Sequence, residues 1–231
     1  MSTIPTGQEK RRRRERRIVV VAVGICAVLL VVVLGASVGP AQYAYWSYAP
    51  QEGDILFQSL PHSPLVNAIE GGSQSPYSHC GIVAKSEGDW VVYEAYHNVE
   101  ATPLREFLAR GREGGFAVYR LKPAHQPCIP ALLEQVRSYL GRPYDVRYRM
   151  DDDAIYCSEL IYKAYASAAQ GEQLGNLDRL VDLNWRPYQA TIEYFEGGPV
   201  PLEREMITPK QMAAAEQLEL VFAYGIETSS R

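Results

Sequence analysis

The sequence predicts one α+β domain preceded by a single N-terminal transmembrane helix. Three observations point there: an uncharged apolar run from Ile18 to Val38, interleaved strand-like and helix-like patterns from residue 53 onward, and no repeat, low-complexity stretch or second linker within residues 41–231. The composition agrees. A chain of 231 residues has room for one ordinary domain and an appendage, and 47% hydrophobic with 22% charged residues is globular rather than disordered.

The apolar run IVVVAVGICAVLLVVVLGASV holds 21 residues without a charge. At about 1.5 Å per helical residue it reaches roughly 31 Å, the thickness of a hydrocarbon core. In lipid every backbone amide needs a partner, so a lone spanning segment is a helix even when rich in valine. KRRRRERR stands just before the run, and positive charge at that flank holds the N-terminus in the cytoplasm. The expected organisation is a basic cytoplasmic tail over 1–17, a membrane helix over 18–39, a tether over 40–50 and a domain over 51–231 outside the cytoplasmic membrane. Tyr43, Tyr45, Trp46 and Tyr48 suit an aromatic belt at the headgroups. A cleaved signal peptide shares the basic start, but its apolar region is usually about 7–15 residues, shorter than this one. Either reading exports the domain.

Charge excludes one class of partner. Residues 1–40 carry seven bases against two acids, and the remaining 16 bases and 25 acids leave residues 41–231 at −9. A nucleic-acid grip needs Lys and Arg over the folded surface to displace counterions, so no nucleic-acid partner is expected.

Within the domain, GDILFQSL reads as an opening strand after the Gly53-Asp54 turn, and GGSQSP over 71–76 as a loop. HCGIVAK and WVVYEAY flank SEGD and read as a hairpin over 79–96. Helical patterns cover 103–110 and 129–141, with the strand FAVYRLK between them. A longer helix is expected to start near Asp153 and carry CSELIYKAYASAA. Thr208, Pro209 and Gln211 form a helix start, with a hydroxyl cap, a proline at the first position and a glutamine three after the cap. LELVFAY reads as a final strand.

Four histidines are available. His62 and His125 lie in proline-flanked loops, His97 follows the hairpin, and His79 begins a strand directly after a loop. With the turn at Glu87-Gly88, paired positions sum to 175, so Glu94 falls opposite Gly81, on the same face as His79. Glu94 and His79 are then diagonal neighbours, and a carboxylate so placed fixes an imidazole's tautomer and stabilises its protonated form. The competing reading is a glutamate facing solvent.

Cys26 lies inside the apolar run. Cys80 points to the face opposite His79, and Cys128 lies in a loop. Cys157 stands in the first turn or so of an amphipathic helix, where free amides and the macrodipole lower a thiol's pKa and can hold an oxyanion. Asp151, Asp152 and Asp153 oppose that by like charge unless they point away. The plain alternatives for Cys157 are packing or a disulfide; a Cys80–Cys128 bridge leaves Cys157 free. Neither Cys-x-x-Cys nor His-x-x-x-His occurs, so no metal or other cofactor is expected.

Taken in order, GDILFQSL, SPYSHCGIV, VVYEA, GRPYD and YCSELIYKAY resemble the permuted papain-like cysteine hydrolases of the YiiX/YebB group in the NlpC-like superfamily. The resemblance implies an antiparallel sheet packed on the helix that bears the nucleophile. It also implies an active site of Cys157, His79 and Glu94, with Tyr144 and Asp145 near it in substrate contact or in support of the cysteine helix. The expected function is a membrane-anchored thiol hydrolase of amidase or peptidase type, with cell-wall peptide a natural substrate. An acyltransferase or thioesterase acting on lipid acyl groups and a non-catalytic binding module are the alternatives. The binding module requires His79 and Cys157 to lie beyond hydrogen-bond reach.

Overall fold

The structure, a computed structural model, describes residues 45–228 together with Val21 and Gly24. The expected span over 18–39 and the basic tail lie outside the described residues. Among the described residues no helix is long and apolar enough to cross a membrane.

The strands are β1 (Ile55–Gln58), β2 (His79–Ser86), β3 (Asp89–Ala95), β4 (Val99–Pro103), β5 (Phe116–Leu121), β6 (Asp178–Arg179), β7 (Glu205–Met206) and β8 (Leu218–Tyr224). The helices are α1 (Pro64–Ser73), α2 (Leu104–Arg110), α3 (Ile129–Ser138), α4 (Cys157–Ala168), α5 (Gln189–Glu196) and α6 (Pro209–Ala213). Six strands form one antiparallel sheet in the order β4-β3-β2-β1-β5-β8, and β6 pairs with β7 separately.

The alternation of side chains across the strands sorts the core into two layers. Ile55, Phe57, Cys80, Ile82, Tyr93 and Tyr119 face α3 and α4. Leu56, Val83, Val92 and Val118 face α2, whose Leu104, Phe107 and Leu108 cover them. Central β1 is buried along its whole length.

The hairpin forms with the expected register, Ile82 opposite Tyr93 and Val83 opposite Val92. Its two-residue turn places Glu87 at φ 52° and Gly88 at φ 96°, the left-handed pair that matches the twist of antiparallel strands. Thr208 caps α6 by accepting the Gln211 N–H at 3.2 Å.

Four elements differ from expectation. The nucleophile helix α4 begins at Cys157, not near Asp153, because Tyr156 is extended at φ −97°, ψ 169° and ends the preceding irregular segment. Helix α1 runs through Gly71 to Ser73, part of the expected loop, capped by Ser63, whose Oγ accepts the Val66 N–H. Strand β4 and helix α5 carry patterns too short to declare themselves locally. Tyr48, placed in the tether and the aromatic belt by sequence, instead packs between Phe116 and Phe222, and its hydroxyl donates to Asp54 at 2.6 Å. Arg120 completes that anchor with two bonds to Asp54, at 2.7 and 3.0 Å.

Candidate active site

The site forms where β2 and β3 part. Val83 donates its N–H to the carbonyl of Asp54, just before β1, so by alternation the N–H of Cys80 turns toward β3. The β2–β3 ladder stops at Ile82 and Tyr93, and beyond that point β3 continues with β4 alone. Cys80 therefore has no strand partner on that side. Its N–H instead faces the sulfur of Cys157, at the start of α4, and favours the anion there.

That sulfur also lies close enough to the His79 ring and the Cys80 thiol for each to shift the others' titration. His79 Nε2 lies 2.5 Å from Glu94 Oε2, so Nδ1 is the ring nitrogen left for the sulfur. Glu94 is fully buried and is gripped by Arg110, whose Nη1 and Nη2 donate to its two oxygens at 2.8 and 2.9 Å. Arg110 in turn covers the Tyr96 ring at 4.1 Å. Gly81, between the two strands, has no room for a side chain: a Cβ there would stand 2.4 Å from Val92 Cγ1 and 3.1 Å from the Tyr93 carbonyl oxygen.

The electrostatics follow from these contacts. Burial alone pulls the His79 pKa down, but bonds to Cys157 and Glu94 and their charges outweigh it and raise it to about 9. Burial pushes Glu94 up, and His79, Arg110 and Thr102 together bring it down to about 2. Cys157 is held well below the ordinary thiol value by its bonds to Cys80 and His79, against the opposing effect of burial. Cys80 is pushed well above it by burial and by the neighbouring charge. The arrangement favours a thiolate at Cys157 facing an imidazolium at His79.

The first turn of α4 serves the same end. At the first helical position, the N–H of Cys157 has no acceptor within the helix. Glu159 caps the turn, accepting the Tyr156 N–H at 3.2 Å, and meets Lys163 at 2.8 Å. The three aspartates are turned to the surface: Asp151 pairs with Arg149 at 3.3 Å and Asp152 with Lys163 at 2.8 Å. Their repulsion of the sulfur is thereby removed.

Tyr144 and Asp145 divide. The Tyr144 hydroxyl bonds that of Tyr148 at 2.7 Å, and both phenols feel the Cys157 charge. Asp145 is buried and accepts the N–H groups of Arg147 and Arg149 at 2.9 and 2.6 Å. It shapes the loop that carries Tyr148 and makes no contact with the sulfur. His62 bonds Asn67 and His125 bonds Tyr165, while His97 lies exposed at the rim, its ring against Tyr96 and its carbonyl accepting the Tyr144 N–H. Cys80, Cys128 and Cys157 are all free thiols, so no Cys80–Cys128 bridge forms.

Sequence reasoning missed Arg110, Cys80 and Gln58. Arg110 carried no local signal beyond a basic last turn. Gln58 is paired with His79 across β1–β2, fully buried, and its amide finds no hydrogen-bond partner among the described residues.

An antiparallel sheet covered by helices on both faces, with an imidazole strand preceding a cysteine helix, is the arrangement of the papain-like thiol hydrolases in permuted order. The model of the permuted papain-like amidase family, YaeF/YiiX or C92, matches residues 49–222, and the chain belongs to that family. It is similar to the uncharacterized protein YiiX of Escherichia coli K12, 34% identical over 196 residues that cover 84% of this chain and 94% of that protein. A crystal structure described as the metalloprotein YiiX of Escherichia coli O157:H7 superposes with a TM-score of 0.68 at 32% identity, covering 76% of this chain and 98% of that one. Among the described residues here, no group of three or more His, Cys, Asp and Glu side chains is arranged to hold a metal ion.

Proposed function

We propose that this chain is a membrane-anchored amidase that works outside the cytoplasmic membrane through Cys157, His79 and Glu94. The observation that carries the reading is the chain of contacts from Cys157 through His79 to Glu94, with the sulfur held below the ordinary thiol range. A vestigial binding module has no use for such an ion pair.

In the reaction, the Cys157 thiolate attacks an amide carbonyl, and the free N–H of Cys157 at the helix start donates to the developing oxyanion. The His79 imidazolium gives its proton to the departing amine, leaving a thioester. Neutral His79 then takes a proton from water, which attacks the thioester and releases the acid. Glu94, held by Arg110, keeps the ring in one tautomer throughout. Anchoring by the run over 18–38 makes cell-wall peptide a natural substrate.

One feature favours a second reading, in which the acid released is a lipid acyl chain. An apolar groove of about 760 Å³, counting its open mouth, is lined by Leu65, Ile69, Trp185, Ile192, Phe195 and Met206. Tyr148 also lines it and stacks on Tyr156, the cap of α4, at 4.6 Å. A groove of this character suits an alkyl chain better than a polar peptide.

The test is alkylation of the purified protein with iodoacetamide, followed by assay on peptide amides and N-acyl amides. Cys157 should alkylate rapidly at neutral pH, and Cys157→Ala should abolish hydrolysis. An unreactive Cys157, or a Cys157→Ala variant that still hydrolyses, rejects the assignment.

A further inference from the structure

Cys80 is fully buried in the same core cluster as Cys157, at the point where the β2–β3 ladder ends, yet the mechanism above assigns it no part. It reaches Cys157 by two routes. Its N–H points into the parting of β2 and β3, where no strand accepts it, and its side chain lies on the α4 face of the sheet beside Cys157. We propose that Cys80 is a positioning residue for the nucleophile, whose N–H and S–H both donate to Cys157 Sγ and hold it as an anion aimed at His79. The inference rests on the thiol-hydrolase reading of this site.

Removing a thiolate from water disfavours it, and one imidazolium supplies one donor. The other groups facing the sulfur give little help. From the loop before α4, the Tyr144 and Tyr148 hydroxyls bond each other. From β3, Glu94 is an anion whose charge Arg110 balances from α2. From α4 itself, Glu159 is acidic and turned to Lys163, and the Tyr156 hydroxyl donates to Met150. The Tyr144–Tyr148 bond uses one of the two phenol protons, and Cys80 adds two donors of its own from the α4 face of the sheet. A thiol is a weak donor to neutral groups, but its bond to an anion is charge-assisted. Its own pKa is raised, so it keeps its proton and does not compete as a nucleophile.

The experiment follows Cys157 alkylation by iodoacetamide against pH in the full-length chain, with peptide mapping to separate Cys157 from Cys80 and Cys128. In Cys80→Ala the midpoint should rise by about one pH unit, leaving about tenfold less thiolate on the acid side. Cys80→Ser, which restores a donor, should recover at least half of the shift. An unshifted midpoint in Cys80→Ala, or a shift that serine does not reverse, overturns the proposal in favour of simple packing. If Cys80→Ala does not fold, ¹³Cβ-labelled cysteine in the wild-type protein replaces it: the Cys80 resonance should move as Cys157 titrates, and a stationary signal refutes the pairing. A wild-type Cys157 midpoint near the ordinary thiol value, about 8.5, removes the hydrolase reading and this proposal together. A low midpoint with the expected shifts but no hydrolysis of any amide removes the hydrolase reading alone.

Discussion

Arg110 grips both carboxylate oxygens of Glu94, at 2.8 and 2.9 Å, while Glu94 Oε2 stands 2.5 Å from His79 Nε2. The acid is fully buried, so the imidazolium on one side and the guanidinium on the other together let it remain charged. Removing one member of a buried pair leaves the other charge uncompensated, and Arg110→Ala should lower stability by about 3–5 kcal/mol in urea unfolding. Arg110→Lys should recover part of this but not the two-point grip. Equal stability in Arg110→Ala and wild type contradicts the role assigned to the pair.

Glu94 also makes stability acid-sensitive. Its pKa falls from 4.5 to about 2 on folding, so its contribution is complete above pH 4.5 and is lost as pH drops through that interval. Unfolding free energy measured from pH 6 to pH 2 should decline in the wild type. Glu94→Gln should show a smaller decline over the same range.

The activity profile should be broad on its alkaline side. His79 keeps its proton up to about pH 9, and that proton is needed by the departing amine. The alkaline limb of kcat/KM should therefore fall near 9. In Glu94→Gln it should move down toward the ordinary histidine value, about 6.5. A limb that stays in place after the substitution shows that Glu94 does not hold the imidazolium.

Gly81 should resist substitution. The 2.4 Å approach of Val92 Cγ1 to a Cβ at this position predicts that Gly81→Ala destabilises by about 1–3 kcal/mol, seen as a lower Tm. Adding Val92→Ala should return part of the loss, and a double-mutant cycle measures the coupling. Strict additivity of the two losses argues against the clash.

Tyr48 should behave as part of the folded domain. Tyr48→Ala removes a ring packed on Phe116 and Phe222 and should reduce stability by about 3–5 kcal/mol. Tyr48→Phe keeps the packing and loses only the bond to Asp54, about 1 kcal/mol. A chain truncated to begin at residue 51 should resemble the alanine variant in denaturant.

The hairpin shows how far local pattern reaches. Two apolar runs and a Glu87-Gly88 turn are enough to place Glu94 on the His79 face, because in an antiparallel pair every register follows from the turn. The α6 cap was equally legible, since Thr208 and Gln211 meet within one turn. Helix α5 and strand β4 were not, because neither buries a long enough periodic face of its own. The part played by Asp145 was not legible for a related reason: an acid in a motif near a site looks the same whether it faces a ligand or its own loop amides.

The order of residues by itself determined five of the six strands of the main sheet, the starts of α2, α3 and α6, and the neighbourhood of His79 with Glu94, all of which depend on spacing along one or two adjacent segments. Only the tertiary structure decided that Arg110 closes on Glu94, that β2 and β3 part at Cys80, and that the freed N–H of Cys80 meets the sulfur of Cys157. Those contacts join segments far apart in the chain, and they arise from where helices cross a twisted sheet, which no local periodicity encodes.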